Sequence, residues 1–206
     1  MSRRARIFFY TDSYVFRRSF RLLVAIGAAV FFLSFILSMA AGQQARDLGG
    51  SPKDPLKETP GKVVVLLFVR TDCPISNRYA PLLQEMSVKY GSEAAFWLVF
   101  PDKNESPGSI RSYLQEFNYK LPALRDMEHS LVKKSGAKVT PEAAVFNSKR
   151  DLVYHGRIDD AYREFGKARR AATTHELADA IEAASKGVAP PSAAAEGVGC
   201  FISDLK

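Results

Sequence analysis

The chain of 206 residues is 47% apolar and 25% charged, with 13 glycines and 11 prolines, which fits one ordinary globular domain with extra segments and excludes a multidomain assembly. No fixed period recurs along it, so collagen-like and solenoid readings fall, and the apolar content excludes a wholly disordered chain. The formal charge of +7 is unevenly placed: Arg3, Arg4, Arg6, Arg17, Arg18 and Arg21 against Asp12 put +5 in residues 1–42 and leave +2 for the remainder. A nearly neutral remainder carries no electrostatic footprint for nucleic acid, and no such partner is expected.

The basic start runs into Leu22–Ala41, LLVAIGAAVFFLSFILSMAA, twenty residues without a charge. Positive charge ahead of an apolar stretch stays on the cytoplasmic side, so residues 1–42 predict a signal peptide or membrane anchor that delivers the rest outside the cytoplasm. Ser38, Ala40, Ala41 and Gly42 are small enough for a cleavage site, while the length suffices to span a bilayer; cleavage and retained anchor both stand. Arg17-Arg18-Ser19-Phe20-Arg21-Leu22 also resembles a twin-arginine export motif, although the apolar core is more like that of the general secretory route.

Residues 43–61, polar with Gly49-Gly50 and three prolines, read as a linker. The domain, 62–187, opens with Lys62–Val69, KVVVLLFV, a continuous apolar run of the kind covered on both faces by helices. Residues 76–90 repeat apolar side chains at helical spacing and stop at Gly91. A strand follows over Ala94–Phe100, a helix over Ser109–Phe117, a short apolar stretch at Leu121–Leu124 and a short helix over Met127–Ser135. Alternating strands and helices predict an α/β fold with helices on both faces of the sheet. After Thr140-Pro141, Glu142–Asn147 and Leu152–Ile158 form a β-hairpin, an Arg- and Gly-rich loop spans 159–172, and the last helix covers Thr174–Lys186 with Thr174 as its expected cap. Residues 188–206 form a tail: a flexible Pro-Ala-Ser spacer, then an apolar knot, Val198–Ile202, that suggests docking.

The only cysteines are Cys73 and Cys200. Cys73 ends the buried strand and begins the next helix, with Pro74 where a first-turn proline belongs. Unpaired N–H groups at that helix end favour the thiolate, and α/β sheets place their sites at such turns, so Cys73 is expected to be reactive rather than inert.

Cys73-Pro74-Ile75-Ser76, with Pro81 eight positions after the cysteine, resembles the active-site turn of the thioredoxin fold, and Thr140-Pro141 resembles its cis-proline. The strand and helix between these landmarks are similar to the redoxin branch, which includes AhpC/TSA peroxiredoxins and tethered TlpA/ResA-like thiol-disulfide oxidoreductases. CPISN, GRIDD at Gly156–Asp160, FGKAR at Phe165–Arg169 and GCFI at Gly199–Ile202 resemble an exported bacterial redoxin group. The resemblance covers residues 60–206. It implies a thioredoxin-like fold with a central mixed sheet, Cys73 as nucleophile, and Thr71, Pro74, Ser76, Thr140 and Pro141 as substrate-binding residues. It implies no cofactor, and as partner a protein or small-molecule thiol or disulfide, with the external electron donor undefined.

The second cysteine of a Cys-X-X-Cys pair is replaced by Ser76, so the usual local disulfide cannot form. Ser76 either hydrogen-bonds the Cys73 thiolate or caps the helix. The expected resolving thiol is an external one or Cys200, since closure cost grows only logarithmically with loop length. Two rivals remain. A peroxiredoxin would need Pro-X-X-X-Thr/Ser-X-X-Cys, but Arg70 stands three before Cys73 and Thr71 is out of register. A Sco-like binding or metal-handling module would need a second sulfur near Cys73 and a placed histidine, yet His129, His155 and His175 are isolated, and no metal is expected. Asp159 and Asp160 read as turn or cap residues, and Arg157, Arg163, Arg169 and Arg170 as a solvated charged surface.

Overall fold

The computed structural model describes residues 44–203 and 205, and the axis of the fold is β2 (Val63–Phe68), whose six residues are all buried. Alternate side chains of a strand point to opposite faces, and the two hydrophobic clusters divide β2 accordingly: Val63, Val65 and Leu67 enter one, Val64, Leu66 and Phe68 the other. An uninterrupted apolar run is therefore what a strand covered on both sides requires.

The first face is covered by α2 (Pro74–Lys89), α3 (Pro107–Glu116) and α5 (Glu176–Ser185), through Ile75, Tyr79 and Leu83, through Ile110 and Tyr113, and through Leu177, Ala180 and Ile181. Each set lies at helical spacing. The second face carries α1 (Pro55–Glu58) and α4 (Ser130–Ser135), through Leu56 and through Leu131 and Val132. Pro81 sits inside α2, where its missing N–H leaves one turn without its backbone bond.

The principal sheet has seven strands in the order β1-β4-β3-β2-β6-β7-β10. Here β1 is Arg46–Asp47, β3 Ala94–Phe100, β4 Ala123–Arg125, β6 Glu142–Phe146, β7 Leu152–Gly156 and β10 Ala194–Ala195. β2, β3 and β4 run parallel, β6 and β7 form the antiparallel hairpin, β1 is antiparallel to β4 and β10 parallel to β7. The mixed sheet flanked by helices agrees with the fold expected. A two-stranded sheet pairs β5 (Val139–Thr140) with β11 (Cys200–Phe201). A second joins β8 (Tyr162–Glu164) to β9 (Lys167–Ala168), a small hairpin inside what reads as loop.

Two expectations are corrected. Residues 44–61 are joined to the domain rather than linking to it: β1 pairs with β4, and Ala45 and Leu56 are buried in the second cluster. The prolines misled because Pro55 opens α1 behind Asp54, whose carboxylate accepts the Leu56 N–H; they mark a helix start rather than a coil. Thr174 does not cap α5. His175 occupies that position, while the Thr174 N–H is taken by Asp160 and its hydroxyl donates to Glu176. The export or anchor segment, Leu22–Ala41, lies outside the described residues, and among those described no helix is long and apolar enough to cross a membrane.

Candidate functional site

Cys73 follows the end of β2 and is the N-cap residue of the sixteen-residue α2, with Pro74 at the first helical position. Its side chain has no exposed surface. Beside it the Thr140-Pro141 peptide bond is cis and turns the chain from β5 into β6. The Cys73 sulfur lies 3.1 Å from the Thr140 carbonyl oxygen. From 127 residues away, the Cys200 sulfur comes within 2.8 Å of it; both cysteines are free thiols.

Cys200 reaches this place because the end of the chain is paired as a strand. Cys200 aligns with Thr140 and Phe201 with Val139, antiparallel. The Ile202 N–H donates to the Lys138 carbonyl at 3.0 Å and the Thr140 hydroxyl to the Cys200 carbonyl at 3.4 Å. Ile202 is buried in the second core cluster, so an apolar anchor follows the thiol directly.

The two sulfurs are electrostatically unequal. Burial pushes the Cys73 thiol up, but hydrogen bonds from Cys200 and from the Ser76 backbone and hydroxyl outweigh it, and its pKa is lowered. Cys200 is pushed up to about 12, first by burial and then by its hydrogen bond to Cys73 and the charge there. Of the two sulfurs, Cys73 is therefore the one whose ionised form is favoured and Cys200 the one that holds its proton more tightly. Ser76 is fully buried; its hydroxyl bonds toward Cys73, and its oxygen also accepts the Arg70 N–H at 3.5 Å. Ser76 does not cap the helix, because Cys73 itself holds the cap position.

The other expected binding residues divide. Pro74 is exposed at the mouth of the turn, and Thr140 and Pro141 are buried against Cys73. Thr71 is tied to Glu105, to which its N–H donates at 2.6 Å. Glu105 holds the turn that precedes Cys73, at Thr71, and sequence reading missed it. Burial pushes its carboxyl up, and its second oxygen has no hydrogen-bond partner; standing 34 positions from Thr71, it gave no local signal. Arg70 is tied to Asp72 and Asp102 at 2.9 and 3.2 Å. Asp159 accepts from the Tyr79 hydroxyl and the Ala161 N–H, and Asp160 binds Thr173, Thr174 and Arg169. Both aspartates hold loops. Arg157 pairs with Glu176, so that arginine is engaged rather than merely solvated. Among the described residues no group of three or more His, Cys, Asp or Glu side chains is placed to hold a metal ion.

A family model described as thioredoxin-like matches residues 61–152, the span from the start of β2 through Cys73 and the cis-proline to β7. The fold of the domain is thioredoxin-like. No curated protein sequence matches the chain. Among solved structures, the thioredoxin-like domain is similar to a hypothetical protein of Sinorhizobium meliloti 1021, at 25% identity and TM-score 0.66, covering 77% of this chain and 88% of that one. It is similar to an uncharacterized conserved protein of Geobacillus kaustophilus at 20% identity and TM-score 0.67, over 77% and 86% of the two chains. MTB dsbF, solved in mixed oxidized and reduced forms, aligns at 16% identity and TM-score 0.50, over 70% and 94%.

Proposed function

We propose that the protein is an extracytoplasmic thiol-disulfide oxidoreductase in which Cys73 attacks and Cys200 resolves. The observation that carries this reading is the 2.8 Å approach of the two sulfurs, made by the β5–β11 pairing rather than by a local Cys-X-X-Cys turn. The Cys73 thiolate attacks one sulfur of a partner disulfide, forming a Cys73–partner bond as the partner's own S–S bond breaks and one thiolate leaves with a proton from solvent. Cys200 then gives up its proton and attacks the Cys73 sulfur; a Cys73–Cys200 disulfide forms and the partner departs as a dithiol, reduced by two electrons. An external dithiol resets the pair, and the reverse sequence oxidises a partner. No organic cofactor enters any of these steps. The extracytoplasmic setting rests on the charge and apolar pattern of residues 1–41, with residues 22–41 as membrane attachment where they are retained.

The test is mass analysis of thiol-alkylated protein after reaction with a disulfide-bonded peptide. Wild type is expected to yield released peptide thiol and an internal disulfide, Cys200→Ser to accumulate the peptide on Cys73, and Cys73→Ser to give neither. Exchange that persists in Cys73→Ser would overturn the proposal. Peroxide consumption without disulfide exchange would move the reaction to the peroxidase class.

A further inference from the structure

Among the described residues only β11 pairs with β5, and β11 is the last strand of the same chain. That strand is held by its backbone and by Ile202, not by Phe201, whose side chain is 80% exposed. With it seated, the Cys73 side chain has no exposed surface and the Cys200 sulfur lies against it.

The approach of this strand depends on two glycines. A Cβ on Gly199 would stand 2.1 Å from the Thr140 carbonyl oxygen and 2.6 Å from its carbon. Both are backbone atoms of the segment that pairs and then turns through Pro141, so no side-chain rotation relieves the clash. A Cβ on Gly197 would stand 2.6 Å from Glu142 Oε1 and 2.9 Å from Val139 Cγ2. Glu142 is not free to swing aside, because its carboxylate accepts the Lys138 and Val139 N–H groups at 2.6 and 3.4 Å. The β5 edge thus admits an extended Gly-X-Gly-Cys segment and has no room for a side chain immediately before the cysteine.

We infer that the C-terminal strand is a strap that competes with outside polypeptides for the β5 edge, and that this edge selects glycine directly before the cysteine of whatever extended segment it receives. One edge holds one strand, so a protein partner docks only when residues 197–202 leave. The inference rests on the redoxin reading for the identity of the partner, a disulfide-bonded polypeptide, but the strap itself is independent of redox chemistry.

The test is the rate at which iodoacetamide alkylates Cys73 in the fully reduced full chain, read by mass and compared as the high-pH plateau of each protein, where Cys73 is ionised with or without the Cys200 donor. Wild type is expected to react slowly, and Gly199→Val, which keeps both cysteines but cannot seat the strand, about tenfold or more faster, as a lost local closure predicts. A chain ending at Glu196 gives the same rise and serves where Gly199→Val does not fold. Added to that shortened chain, the peptide Gly-Val-Gly-Ser-Phe-Ile, which cannot form a disulfide, restores slow alkylation, and Gly-Val-Val-Ser-Phe-Ile does not. Equal rates in wild type and shortened chain would remove the strap, and equal protection by both peptides would remove the glycine selection. Because alkylation needs no disulfide exchange, a strap that behaves as expected in a protein without exchange activity would sink the redoxin reading alone.

Discussion

The charge difference between the two sulfurs is a property of single hydrogen bonds, and it responds to single atoms. Removing the Cys200 thiol in Cys200→Ala leaves burial opposed only by the Ser76 groups and by the Cys200 backbone. The Cys73 pKa then rises, and the pH profile of its alkylation moves to higher pH, while Cys200→Ser, which keeps a hydroxyl donor, moves it less. An unmoved profile in Cys200→Ala would assign the lowered pKa to Ser76 and the Cys200 backbone rather than to the Cys200 thiol. The two thiols link to stability with opposite signs. The lowered pKa of Cys73 contributes stability that is present above the unfolded thiol value, about 8.5, and lost as pH falls through the folded value. The raised pKa of Cys200 contributes below the unfolded value, and this is lost as pH rises toward about 12. Cys73 was legible at this scale because a cysteine followed by proline at a strand-to-helix junction has few other uses. Glu105 was not: its carboxylate meets the site through a loop, and nothing in its neighbouring residues announces that.

Single elements depend on how their ends are satisfied. α4 has only six residues and no side-chain cap from its own N-cap residue, His129. Asp126, 1% exposed, supplies the cap from further back, accepting the N–H groups of Ser130, Leu131 and Val132 and the Ser130 hydroxyl at 2.8–2.9 Å. Asp126→Ala strands three backbone donors in a buried place and is expected to cost about 3 kcal/mol in urea unfolding; Asp126→Asn, which keeps acceptor oxygen, is expected to cost less. A loss below about 0.5 kcal/mol in Asp126→Ala would show that water replaces the carboxylate. The long elements were legible, β2 by its apolar run and α2 and α5 by spacing. β1, β10 and β11 were not, since two residues cannot show a period; their pairing is decided by the partner edge.

The described domain is closed by segments from its two ends. Ala45 and Leu56 from the start of the described chain and Ile202 from its end share the second hydrophobic cluster. A Cys73–Cys200 disulfide would span 127 residues, and on the chain-entropy account such a bond stabilises the native state by about 5 kcal/mol. The oxidised protein is therefore expected to unfold at markedly higher denaturant than the reduced protein, and Cys200→Ser is expected to erase the difference. Equal midpoints for oxidised and reduced wild type would mean that no intramolecular disulfide forms.

By itself the sequence determined the alternation of strands and helices, the strand buried on both faces, the place of Cys73 at a helix start, and the turn at Thr140-Pro141, because each is written in neighbouring residues through periodicity, capping and backbone restriction. It also showed that a second thiol lay beyond a proline-rich spacer. What only the tertiary structure decided is where that thiol goes: onto the β5 edge, against Cys73, through the gap that Gly197 and Gly199 leave beside Glu142 and Thr140. Contacts between residues more than about fifty positions apart carry no local periodicity, and their free energy comes from a surface that exists only once the sheet has assembled.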